Sequence, residues 1–184
     1  TVVEKELAVA KLSLLHAQVE PHFLYNTLGS AKYLIASDPV KAEAMLDNLI
    51  LYLRHSLPRD ADAPSTLGDE IVRTRAYLDI LKIRMDERLQ VSIDLPDALA
   101  AVPFPTMMLQ TLAENAINHG LEPKTGGGRI WITARKDLDG DSITVTVADD
   151  GIGFGLCPLV DAAPRPRLLV HLHTQEVRRG GAEW

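Results

Sequence analysis

Apolar residues at Val3, Leu7, Ala10, Leu14, Ala17, Pro21, Leu24, Leu28, Ala31 and Ile35 alternate by four and three along the first part of the chain. That spacing is the seam of a coiled coil or helical bundle. It predicts one long helix ending at Ser37-Asp38-Pro39. Asp38 has the side chain of an N-cap and Pro39 suits a first helical position. A second helix therefore follows at once, with Ala42, Leu46, Leu49 and Leu53 repeating the spacing. Two helices joined by so short a turn make an antiparallel hairpin. One hairpin cannot bury both sides of its seam, so the pattern predicts a four-helix bundle completed by a second copy, a homodimer.

Pro58 to Ser65 (PRDADAPS) is polar and bounded by prolines, which marks a linker. Leu67, Ile71, Thr74, Leu78, Leu81 and Met85 then predict a third helix in the same register. From Val91 the period changes. VSIDLP reads as a short strand and residues 103–121 as a helix, while 129–136 and 142–149 alternate as strands around an Asp-Gly turn. Helices on one side of a mainly antiparallel sheet make an α+β layer. The expected organisation is a helical hairpin over 1–58, a linker over 59–65, an α+β domain over 66–155 and an atypical tail over 156–184.

The chain has 184 residues, 46% hydrophobic and 24% charged, the composition of a globular protein. Its net charge of −6 and the lack of a basic stripe argue against a nucleic-acid partner. A single cysteine, Cys157, excludes an internal disulfide and fits a reducing compartment. No apolar run approaches the roughly 20 residues of a membrane-spanning helix, and no signal peptide is present. The chain begins with Thr1, which suggests part of something longer.

Two stretches carry candidate chemistry. In VEPHFLYNTL, Pro21 falls inside the expected long helix, where proline costs on the order of 3 kcal/mol. It would free the carbonyl of Ala17 and loosen that turn. His22 sits beside the seam, facing mostly outward, and an imidazole is a competent nucleophile near neutral pH. Pattern alone still favours a surface histidine on a kinked helix. In LQTLAENAINHG, Thr111, Asn115, Asn118 and His119 share one helix face. Such a row of amides suits a hydrated metal–phosphate group, although pattern alone favours an ordinary polar face. DDGIGF, Asp149 to Phe154, offers a carboxylate acceptor and alternating glycines that admit a flat ligand. KTGGGR (124–129) is no phosphate loop, because its lysine precedes the glycines; it reads as a flexible turn.

QVEPHFLYNTL closely resembles the phosphoacceptor signature of the LytS-type bacterial sensor histidine kinases, roughly Gln-hydrophobic-x-Pro-His-Phe-Leu-Phe/Tyr-Asn-x-Leu. Gln18, Pro21, His22, Phe23, Leu24, Tyr25, Asn26 and Leu28 match it. The resemblance implies that His22 takes the γ-phosphoryl group of ATP and passes it to an aspartate of a response regulator, with Tyr25 and Asn26 flanking it. The asparagine helix and the Asp-x-Gly-x-Gly turn together resemble the ATP-binding fold shared by histidine kinases, DNA gyrase, Hsp90 and MutL. That resemblance implies that Asn115 holds Mg²⁺ and Asp149 bonds the adenine amino group. Asn118 and His119 would then lie near the phosphates or ribose, with Gly151 and Gly153 shaping the adenine pocket. Thr111 stands where the ATPase branches carry a water-activating glutamate, so the chain resembles a phosphoryl transferase more than a hydrolase. A cytoplasmic location and a membrane-anchored parent are implied as well.

After Gly155 the family pattern is expected to continue with an ATP lid and a box of the form Gly-x-Gly-Leu-x-Asn. This chain instead has prolines at 158, 164 and 166 and no Gly-x-Gly. The expectation is an incomplete ATP-binding domain without its C-terminal strands, followed by a solvated, frame-shifted or truncated tail in which Arg165, Arg167, Arg178 and Arg179 have no site role. The rival reading is an inert dimerisation and docking module with a degenerate ATP site.

Overall fold

Helix α1 (Pro21–Ser37) begins at the proline itself. Glu20 is extended, with φ −63° and ψ 118°, so Pro21 takes the first helical position. There its missing N–H has no intrahelical partner to lose. The expected interior kink is corrected to a helix start, and the interior penalty does not arise. The inward stripe is correspondingly Phe23, Thr27 and Ala31. The predicted Leu24, Leu28 and Ile35 lie on the neighbouring face, with Leu24 half-buried and the other two exposed. Sequence spacing alone cannot tell which of two adjacent apolar stripes meets the chain's own second helix.

This computed structural model describes residues 19–56, 65–138 and 142–152, and the backbone of 165–173. The seam positions Val3 to Ala17, most of the linker, Gly153 and Cys157 lie outside the described residues.

Asp38 joins the hairpin as expected. Its N–H donates to the Leu34 carbonyl at 2.7 Å, and its Oδ1 accepts from the Lys41 N–H at 3.1 Å. It thereby closes α1 and opens α2 (Pro39–Ser56), which buries Ala42, Met45, Leu49 and Tyr52. Helix α3 (Leu67–Met85) starts with a capping box between Thr66 and Asp69. It is buried nearly all round, adding Glu70, Arg73, Tyr77 and Ile80 to the predicted Ile71, Thr74, Leu78 and Leu81. The cause is position: α3 packs against α2 on one side and against the sheet layer on the other.

The sheet has four strands in the order β1 (Leu89–Asp94), β2 (Gly128–Lys136), β3 (Ser142–Asp149) and β4 (Arg165–His173). The β1–β2 pair is parallel and the others are antiparallel. Helix α4 (Met108–Ala116) lies in the connection between β1 and β2. Strand β4 corrects the expectation that the C-terminal stretch supplies none. Pro166 is tolerated because β4 is an edge strand and the ladder is irregular there, with Val147 paired to Leu168 and Ala148 to Pro166.

Leu109, Ala113, Ala116 and Ile117 pack with Ile130, Ile132, Ala134, Ile143, Val145 and Val147 in one core cluster. The alternation that buries positions 143, 145 and 147 puts Asp149 on the same inward face. A carboxylate thus ends an otherwise apolar row.

Candidate active site

His22 is exposed at the second position of α1. The amide nitrogen of Asn26, one turn on, lies 3.2 Å from its Nδ1 and 3.3 Å from its Nε2, able to donate to whichever ring nitrogen lacks the proton. Tyr25 is exposed as well. Directly beneath, Phe23 inserts among Tyr52 and Tyr77, with ring centroids 5.5 and 4.9 Å away. The residue next to His22 is thus anchored in an aromatic cluster.

The asparagine helix is α4 followed by a π-helical turn, Ile117–Leu121. The Glu122 N–H reaches back to the Ile117 carbonyl at 2.9 Å. A π turn is rare and concentrates at functional sites. Here it keeps Ile117 and Leu121 in the core while Asn115, Asn118 and His119 are exposed. Thr111 is exposed too, its hydroxyl donating to the Met107 carbonyl at 2.9 Å.

Glu114 turns the other way. Its Oε1 accepts from Gln110 Nε2 at 2.7 Å, and the same nitrogen donates to Tyr52 Oη at 2.7 Å. This chain ties α4 to the hairpin. Burial raises the pKa of Glu114 above the usual carboxylate range, the Gln110 hydrogen bond opposes that shift, and the nearby charge of Glu20 adds to it. Burial likewise pushes the Tyr52 and Tyr77 phenols up. The charge of Glu20 adds a smaller upward contribution at both Glu114 and Tyr77.

The loop after β3 meets the π turn backbone to backbone. Asp149 is 3% exposed and its Oδ1 accepts from the Gly151 N–H at 2.9 Å. The Ile152 N–H donates to the Gly120 carbonyl at 3.0 Å. A Cβ on Gly151 would lie 2.3 Å from the Gly120 carbonyl carbon and oxygen, so only glycine permits this approach. Gly151→Ala is expected to force the two loops apart and destabilise the chain by about 2 kcal/mol, read from urea unfolding. An unchanged midpoint would mean the approach is not required.

The structure therefore brings Asn118, His119, Asp149 and Gly151 to one junction, with Asn115 on the same helix as the first two. His22 stands on a separate element. Sequence reasoning missed Gly120, Lys124, Asp150 and the Tyr52–Gln110 bridge. The doubled Asp-Asp-Gly and the glycine after Asn-His were the available signals. The expected flexible turn at 124–129 is instead a tight one: Gly127 has φ +68°, and a Cβ there would meet the Arg88 carbonyl at 1.9 Å.

Two family models match the chain: "Histidine kinase" over residues 10–89, and "Histidine kinase-, DNA gyrase B-, and HSP90-like ATPase" over residues 102–178. Sensor histidine kinase BtsS of Escherichia coli (strain K12) is 38% identical over 144 residues, covering 78% of this chain and 25% of its own length. Sensor histidine kinase YesM of Bacillus subtilis (strain 168) is 38% identical over 155 residues, covering 83% and 26%. Sensor protein LytS of Oceanobacillus iheyensis is 32% identical over 181 residues, covering 97% and 29%. The chain belongs to the LytS-like sensor histidine kinase family. It spans about a quarter of the length of these relatives. In this LytS-like chain the second match runs beyond Gly155, where the sequence pattern was expected to stop, and includes β4. Among the described residues no helix is long and apolar enough to cross a membrane.

Proposed function

We propose that this chain is the phosphoacceptor and ATP-binding core of a dimeric sensor histidine kinase, moving the γ-phosphoryl group of ATP to His22 and then to an aspartate of a response regulator. The observation that carries this reading is the close contact of Gly120 with Gly151. It joins the segment that exposes Asn115, Asn118 and His119 to the loop of the buried Asp149 carboxylate.

The donor set fits a magnesium nucleotide. Asp149 is an acceptor for an exocyclic amine, and the Gly151 backbone leaves room for a flat base. Gly153 would extend that surface from outside the described residues. Asn115 offers one amide oxygen to a hydrated Mg²⁺, which keeps most of its waters. Asn118 and His119 face the phosphates or ribose. Bound Mg²⁺ supplies charge neutralisation on the transferring group.

A ring nitrogen of His22 forms the bond to phosphorus, the bond to the leaving oxygen of ADP breaks, and the other ring nitrogen releases its proton. Asn26 orients the ring. The product phosphoryl group sits at the start of α1, where first-turn N–H groups and the helix dipole favour an anion. Hydrolysis is disfavoured because Thr111 cannot serve as a base and Glu114 is turned into its bond with Gln110.

A second copy of the chain would cover the exposed apolar stripe of Leu28 and Ile35 on α1 and Ile50 and Leu51 on α2. A cytoplasmic location follows from the use of ATP, with a membrane-anchored parent. Neither nucleic acid nor a basic surface enters this reading.

Incubation with γ-labelled ATP and Mg²⁺ tests it. The chain is expected to acquire label that acid removes and alkali does not. Release of free phosphate without labelling would point to an ATPase instead. The missing Gly-x-Gly-Leu-x-Asn box after Gly155 favours one alternative, an inert docking module. For that module, calorimetry with ATP and Mg²⁺ would show no heat.

A further inference from the structure

Lys124 follows directly on the π turn, its N–H donating to the Leu121 carbonyl at 3.2 Å. Its own carbonyl is held twice, by the Gly127 N–H at 2.8 Å and by Arg88 Nη2 at 3.1 Å. Arg88 Nη2 also reaches the Glu122 carbonyl at 3.4 Å. The base of the lysine is therefore anchored to the end of α3 and the start of β1. From there its ammonium crosses to the loop after β3, donating to the Asp150 carbonyl at 2.8 Å and lying 3.7 Å from Asp150 Oδ1.

Asp150 is itself fixed from the sheet side. Its Oδ1 accepts from the Arg129 N–H at 2.8 Å, and its N–H donates to the Arg129 carbonyl at 3.2 Å. Lys124 thus closes a second seam between the turn carrying Asn118 and His119 and the loop carrying Asp149 and Gly151. The first seam, Gly120 against Gly151 and Ile152, consists of backbone alone. A charged donor to a carbonyl is stronger than a neutral one, and here it sits on the segment between Asp149 and Gly151.

We infer that Lys124 is a positioning residue for the nucleotide: a strut that sets the separation of the two loops and touches no phosphate itself. This rests on the ATP reading above and extends it to a residue outside both motifs. A half-exposed ion pair alone would contribute little. The strut acts because one end is pinned by Arg88 and the other by β2.

The test uses the whole chain with Lys124→Met, Lys124→Arg and, as a charge-matched control, Lys32→Met on the exposed side of α1. Without any ligand, amide exchange at Ile152 is expected to quicken about ten-fold in Lys124→Met, with Lys124→Arg and Lys32→Met within about two-fold of the parent. With ligand, Lys124→Met is expected to weaken ATP·Mg²⁺ and adenosine by the same factor, about three- to ten-fold. Unchanged exchange at Ile152 overturns the inference. A loss confined to ATP also overturns it, since Lys124 would then be a phosphate ligand. If the parent chain binds neither ligand, the ATP reading itself fails, whereas the exchange result still judges the strut.

Discussion

A His22→Gln chain is expected to incorporate no label from γ-labelled ATP, a loss on the order of 1,000-fold or more, because no other group replaces a missing nucleophile. The argument is local. The imidazole is exposed at the second position of α1 and hydrogen-bonds to Asn26, so glutamine removes no packing from the Phe23–Tyr52–Tyr77 cluster. Stability should stay within about 0.5 kcal/mol of the parent, as for other surface substitutions. ATP·Mg²⁺ affinity should not move either, because His22 lies on an element apart from the Gly120–Gly151 junction. Label measured by filter binding, melting by circular dichroism and affinity by calorimetry separate these three. Persistent labelling with intact fold and affinity would move the acceptor to another side chain and end the assignment of His22. Lost labelling together with lost affinity would make His22 part of the nucleotide pocket.

How legible each part was in the sequence depended on the kind of interaction. The hairpin turn followed from Asp38-Pro39 because capping is local chemistry, satisfied within three residues. The strands at 129–136 and 142–149 followed from alternation, since a two-residue period admits one buried face. What alternation did not reveal is that the row through Ile143, Val145 and Val147 delivers Asp149 to the core side. That requires knowing which face the helices cover. Proline at 21 was misread for a related reason: its cost depends on whether the preceding residue is helical, and Glu20 is extended. The stripe that meets the chain's own second helix lies one position from the leucine seam at Phe23 and Thr27 and rejoins it at Ala31, because α1 carries two adjacent apolar stripes and the sequence does not label the partner of each. The tertiary seams, Lys124 to Asp150 and Tyr52 to Gln110, join residues far apart in the chain through single hydrogen bonds. No periodicity announces such pairs. Strand β4 was hidden by Pro166, which argues against a central strand and is tolerated at an edge.

The largest effect on stability is expected at Arg73. Its guanidinium is 3% exposed and Glu70, its ion-pair partner, is 0% exposed. Arg73 Nη1 also donates to the His55 carbonyl at 2.9 Å, near the end of α2, and the Ser65 hydroxyl donates to Glu70 Oε1 at 3.1 Å. The pair therefore spans the joint where the hairpin gives way to α3. Burial holds the pKa of Arg73 below its usual value, the signature of a charge taken from water. Removing one partner leaves the other charged and unpaired in the interior, which costs about 3–5 kcal/mol, whereas replacing both by apolar groups is often neutral. Arg73→Met should accordingly lower the urea midpoint sharply and the melting temperature by roughly 10 °C. The double variant Glu70→Met/Arg73→Met should regain most of that loss. A double variant as unstable as Arg73→Met alone would assign the cost to the orphaned His55 carbonyl, making the arginine a cap for α2. A loss below about 1 kcal/mol in the single variant would mean that water reaches Glu70 and that the joint is not held by charge.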